Sequence, residues 1–127
     1  MVKAASSLAL LAALGALVVA GPAGAGPTTG HAAAVKPKTT AAQVYDQGFT
    51  PPTVKIKLNG TIKWTWDNSN ADVHTVTLNS APKGVGIFGS SKRAVNYSFS
   101  HKFTKVGKYV ILCSVHPGNQ QKITVTK

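Results

Sequence analysis

From Ala41 onward, apolar and polar residues alternate with a period of two and no helical period interrupts them, which confines the chain to an all-β fold. Val54-Lys55-Ile56-Lys57-Leu58 and Ile62-Lys63-Trp64-Thr65-Trp66 each need one buried and one wet face, as a pleated strand supplies. The second puts both tryptophans on one side. Tyr97-Ser98-Phe99-Ser100-His101-Lys102-Phe103 repeats the pattern. Val44-Tyr45 begins a first strand, and His74 to Leu78 is rich in β-branched residues. Tyr109 to Cys113 is apolar on both faces, as a central strand is, and Gln121 to Val125 closes the sheet. Turn chemistry punctuates these runs. Gln47 to Pro52 and Lys105 to Lys108 are turns, Pro82 to Arg93 is a long glycine-containing connection, and Asn59-Gly60 is the strongest short hairpin signal. About seven short strands with turns between them predict a sandwich or a barrel. Trp64, Trp66, Phe99, Phe103, Tyr109, Ile111 and Ile123 are the candidate core.

The chain does not begin as that domain. Met1-Val2-Lys3 is a short basic region, an apolar run from Ala4 to Ala20 follows, and Ala23-Gly24-Ala25 is a small-x-small cleavage site. That order predicts a secretory signal peptide over 1–25, removed on export. The apolar run is short for a full span, so no stable membrane span is expected after cleavage. Residues 26–41, rich in Gly, Pro, Ala, Thr and Lys, read as a flexible linker, and His31 falls there. The folded domain is expected over 42–127, and an exported product would be periplasmic, held in the cell envelope or secreted.

Export gives the cysteine count its meaning. Cys113 is the only cysteine, so it cannot form an internal disulfide. It ends an apolar run, and His116 follows three residues later in Cys113-Ser-Val-His116-Pro117-Gly118-Asn119. A thiolate and an imidazole on one tight loop are half of a metal site. His74, in Asp72-Val73-His74-Thr75, is the best source of another ligand. One thiolate and two imidazoles with a weak axial fourth donor suit a mononuclear copper that shuttles single electrons. A single cysteine excludes iron–sulfur clusters and four-cysteine zinc sites from this chain alone. Three other readings stay open at this point. Cys113 could be a buried thiol beside an unrelated histidine. Cys113 and His116 could be a catalytic pair, though no orienting residue stands out. His101, between Phe99 and Phe103, could compete as ligand.

Charge narrows the partners. Fourteen Lys and Arg face three acidic residues, for a net charge of +11, or +10 once Lys3 leaves with the signal peptide. Such a chain is attracted to anionic surfaces, whether of redox protein partners, envelope polymers or anionic lipid. The lysines are scattered through strands and turns, no nucleic-acid motif is visible, and nucleic-acid binding is not expected.

Four stretches taken in order resemble one family. Gly60-Thr-Ile-Lys-Trp64, Asp72-Val-His74-Thr-Val, Phe103-Thr-Lys-Val-Gly-Lys-Tyr109 and Cys113-Ser-Val-His116-Pro-Gly-Asn119, followed by Lys122-Ile-Thr-Val, are similar to the cupredoxins. In particular they resemble the small plastocyanin-, pseudoazurin- and amicyanin-like blue copper proteins. The resemblance implies a Greek-key β-sandwich with one type 1-like copper at one end. It implies His74, Cys113 and His116 as equatorial ligands, with the Val73 carbonyl near one axial position. Short-loop members carry an axial methionine where this chain has Asn119. Loops two residues longer would put Gln121 there instead. Several members carry an asparagine that braces the cysteine loop, where this chain has Thr75. The expected function is extracytoplasmic electron transfer by a monomer that is not an enzyme. The alternative is a copper-binding module for storage, delivery or scavenging. A metal-free adaptor is a third reading.

Overall fold

The computed structural model describes residues 36–127 continuously, together with Gly24, Gly26, Gly30 and Ala33. The expected signal peptide and His31 lie outside the described residues, apart from Gly24. Eight strands follow in order: β1 Thr39–Tyr45, β2 Gly48–Thr50, β3 Thr53–Lys57, β4 Thr61–Trp66, β5 Thr77–Ser80, β6 Ser98–Lys102, β7 Gly107–Leu112 and β8 Gln120–Thr126. They form two four-stranded sheets, ordered β2-β1-β4-β6 and β3-β8-β7-β5. The fold is an all-β sandwich. No helix among the described residues is long and apolar enough to cross a membrane.

The alternation read from sequence is the alternation of burial. Val54 and Ile56 of β3, Ile62, Trp64 and Trp66 of β4, and Gln121, Ile123 and Val125 of β8 point inward. Burying one such large apolar side chain contributes roughly 1.5–3 kcal/mol. Tyr109 and Ile111 join them from β7, which lies between β8 and β5 as its two apolar faces require. Phe99 is the exception among the expected core residues. It is only half-buried, stacked on Trp64 at a centroid distance of 6.0 Å.

Three expectations need correction. The first strand begins at Thr39, before the expected Val44, and runs parallel to β4 with Ala42 level with Trp64. Small residues and threonines conceal it from a pattern search, yet a small side chain is what fits beside the indole. Asn59-Gly60 does form a tight turn: Asn59 has φ of 66°, and the Gly60 N–H donates to the Lys57 carbonyl at 2.9 Å. It does not close a hairpin, because β3 and β4 belong to different sheets. β3 pairs in parallel with β8, a long-range choice that turn chemistry does not encode. Lastly, His74 to Val76 stand outside the strand expected to start at His74. They pair with the long connection instead: the His74 N–H donates to the Arg93 carbonyl at 2.7 Å and the Arg93 N–H returns to His74 at 3.1 Å.

Candidate metal centre

Cys113 sits immediately past the end of β7, where the ladder fixes its backbone. Its N–H donates to the Asn119 carbonyl at 3.0 Å, and the Asn119 N–H donates to the His116 carbonyl at 2.9 Å. These two bonds fold the 113–119 loop back on itself and turn His116 toward the cysteine. His74 arrives from the other side, held by its bridge to Arg93. The Cys113 Sγ lies 3.8 Å from His74 Nδ1 and 3.9 Å from His116 Nδ1. The three donor atoms all fall within 4.8 Å of one another. His74 and Cys113 are buried, whereas the His116 side chain is 36 % exposed. The cluster thus reaches solvent by one imidazole edge.

The surroundings set the protonation states. Burial pushes the Cys113 thiol up, but the Thr75 N–H, then the His116 N–H, the His74 ring and the Val115 N–H outweigh it and bring it from 9.0 down to about 6. Burial likewise pushes His74 down, and its bonds to Asp46 and Cys113 turn the net shift upward. His74 Nε2 is 2.9 Å from the Asp46 Oδ1. The N–H groups of Ala71, at 3.0 Å, and Asp72, at 3.2 Å, reach the same carboxylate. With the His74 ring between them in strength, they hold Asp46 down to about 2 from 3.8. An ionised Asp46 only accepts, so His74 Nε2 carries the proton and Nδ1 is the nitrogen left to face Sγ. A carboxylate fixing the tautomer of a ligating imidazole is a recurrent support of metal sites. Sequence reasoning missed Asp46; that it is one of only three acidic residues among so many cations was the available signal.

Thr75 braces the cysteine loop in place of the asparagine of the resemblance. Its N–H approaches Cys113 Sγ at 3.4 Å, its Oγ1 accepts the Ser114 N–H at 2.8 Å, and the two hydroxyls lie 2.9 Å apart. The two candidate axial residues differ sharply. Gln121 is fully buried: its Oε1 accepts the Trp64 indole N–H at 2.8 Å and its Nε2 donates to the Pro51 carbonyl at 2.7 Å. Asn119 is half-buried on the loop itself and donates through Nδ2 to the Asp46 carbonyl at 3.2 Å, which leaves its Oδ1 uncommitted. His101 is not part of the cluster. It stacks on Phe88 at a centroid distance of 3.5 Å and meets Phe103 edge-on, a packed sheet histidine that burial pushes toward the neutral form.

The donor set fits a copper ion: one sulfur drawn toward thiolate and two imidazoles from rigid backbone, with no carboxylate among the three. The comparisons agree with the chemistry. The chain is 35% identical over 89 residues to amicyanin-alpha of Methylorubrum extorquens, covering 68% of this chain and 71% of that one. In structure it resembles a reduced Cu(I) amicyanin variant, with a TM-score of 0.61, 21% identity, and 72% and 86% of the two chains covered. It also resembles the purple cupredoxin of Nitrosopumilus maritimus, with a TM-score of 0.59, 22% identity, and 68% and 99% covered. A copper-containing nitrite reductase of Thermus scotoductus shares the fold at a TM-score of 0.63 and 23% identity over 73% of this chain, which spans only 23% of that enzyme. No family model matches. The chain belongs to the cupredoxins, the small blue copper proteins that carry electrons, and their single copper is its cofactor.

Proposed function

We propose that this protein is an extracytoplasmic carrier of single electrons between redox proteins, with His74, Cys113 and His116 holding the copper and Asn119 at its axial side. The observation that carries this reading is the convergence of both imidazole Nδ1 atoms on a buried Sγ. Copper supplies the one-electron couple when bound. The chain's own contribution is to keep its donors in place. Cys113 is fixed by the ladder and the Thr75 N–H, His74 by Asp46 and Arg93, and His116 by the closed loop. Donors fixed in advance need little rearrangement between oxidation states, which favours rapid transfer over catalysis. The exposed edge of His116, beside Val115 and Pro117, is the natural route for an electron to a docked partner.

Copper storage or delivery is the competing role. Burial of Cys113 and His74 favours retention of the ion over hand-over. The match to amicyanin-alpha over most of both chains supports a carrier that is not an enzyme, and a periplasmic or other exported setting. The net positive charge supports redox partners with anionic surface, and a monomer suits a small shuttle. The test is voltammetry of the copper-loaded protein. A reversible one-electron wave together with a strong visible sulfur-to-copper band, lost in Cys113→Ser, is the expected result. An irreversible wave with rapid loss of copper to a chelator would favour copper handling.

A further inference from the structure

Most cations of this domain are scattered, but five lysines gather at one cleft far from the metal cluster. Two of the three acidic residues lie by the metal cluster, Asp46 on His74 and Asp72 with its Oδ2 3.8 Å from His116 Nε2, and the third, Asp67, bonds through its N–H to the Val44 carbonyl, two residues before Asp46. The opposite end is basic. β8 leaves the metal loop at Gln120 and ends at Thr126, roughly 20 Å away at the usual strand rise. There Lys57 of β3 is level with Thr126, and β1 starts level with Thr61 at the beginning of β4. A cleft of about 1030 Å³ opens at this end, lined by Lys36, Lys38, Lys55, Lys57 and Lys127, with Leu58 among them. No Asp or Glu side chain lines it, and one of its ammonium groups, that of Lys57, donates to the Lys127 main-chain oxygen at 2.6 Å. Leu58 is 37% exposed, an apolar side chain set among ammonium groups.

We propose that this lysine-lined end binds the surface of an anionic phospholipid bilayer and leaves the His116 edge free for redox partners. Two features favour a bilayer over a soluble polyanion. The lining has five lysines and no arginine, so it offers mobile point charges suited to a diffuse headgroup field and lacks the planar forks of a shaped phosphate pocket. Leu58 can enter the headgroup boundary beside those charges. This binding does not depend on copper or on the electron-transfer reading.

Co-sedimentation of the purified protein with vesicles tests it. The protein should bind vesicles of phosphatidylcholine mixed with phosphatidylglycerol, ignore phosphatidylcholine alone, and dissociate as salt is raised. Each lysine near such a surface is worth roughly fivefold in partitioning, so Lys36→Gln with Lys55→Gln should weaken binding about 25-fold. Lys92→Gln with Lys122→Gln removes the same charge away from the cleft and should weaken it far less. Equal losses in the two double variants would assign the effect to net charge and overturn the site. Failure to bind the anionic vesicles would also overturn it. So would polyphosphate that binds the protein more tightly than the vesicles do and whose binding is lost in the Lys36/Lys55 variant. Voltammetry of the same variants should give an unchanged wave, and a changed one would mean that the cleft is not separate from the copper end.

Discussion

Asp46 and His74 join the two halves of the metal site across 28 residues of chain through a single 2.9 Å contact. The carboxylate sits on the turn between β1 and β2 and is held by the Ala71 and Asp72 N–H groups, while its own backbone carbonyl takes the Asn119 amide. One turn therefore orients the His74 imidazole, the polar loop before it and the far end of the cysteine loop.

Removing that support should loosen the copper without unfolding the sandwich. Asp46→Ala should weaken copper affinity roughly 10–100-fold, the range found for outer partners of ligating histidines. Asp46→Asn keeps an acceptor oxygen and should recover most of the loss. Competition against a chelator measures both. If Asp46→Ala binds copper as tightly as the parent, His74 is held by its Arg93 bridge alone.

Thr75 clasps the cysteine loop through its hydroxyl. Thr75→Val keeps the shape but leaves the Ser114 N–H without its partner at 2.8 Å. The expected cost is about 1 kcal/mol in unfolding of the metal-free protein. Thr75→Ser should retain the clasp and most of the stability. Denaturant unfolding of the two variants decides, and equal losses would show that the methyl group matters and the hydroxyl does not.

The pH dependence of the metal-free protein follows from Cys113. Its folded pKa of about 6 lies below the ordinary 9.0, so the thiolate contributes stability that is complete above about 9 and lost as pH falls through about 6. His74 acts oppositely: its raised pKa contributes below its ordinary 6.5 and is lost as pH rises through the folded value. The melting temperature should therefore keep climbing toward pH 9 once His74 has titrated, and Cys113→Ser should abolish that upper climb. A Cys113→Ser profile parallel to the parent's would mean that the thiol is not ionised in the folded state.

The sequence disclosed most where chemistry is local. Cys113 and His116 share one loop, so half of a candidate site was legible there and His74 had to be added to it, and the outward lysines of β3 marked that strand's buried face through Val54 and Ile56. It disclosed least where the decisive partner is distant. Asp46 meets His74 only because β1 lies parallel to β4, and parallel pairing leaves no turn to read. Asn59-Gly60 signalled the turn correctly but not which sheet each flanking strand would join. Gln121 shows the same limit from the other direction: the longer loops of some members of the resembling family make it a rival axial ligand until its partners, Trp64 and Pro51, are known.

Asn119 and Gln121 differ in what a methionine would do in their place. An amide oxygen is harder than a thioether sulfur and stabilises Cu(II) more than Cu(I). Asn119→Met should therefore raise the reduction potential and strengthen the trigonal character of the visible and paramagnetic resonance spectra. Gln121→Met should behave differently. It leaves the Trp64 indole N–H and the Pro51 carbonyl without their partners in the core, so it should cost roughly 1–3 kcal/mol of stability while leaving the potential where it was. Voltammetry with thermal unfolding on both variants reads the two effects independently. A shift of potential in Gln121→Met with none in Asn119→Met would move the axial role to Gln121, and an unchanged potential in both would leave the copper with its three strong ligands alone.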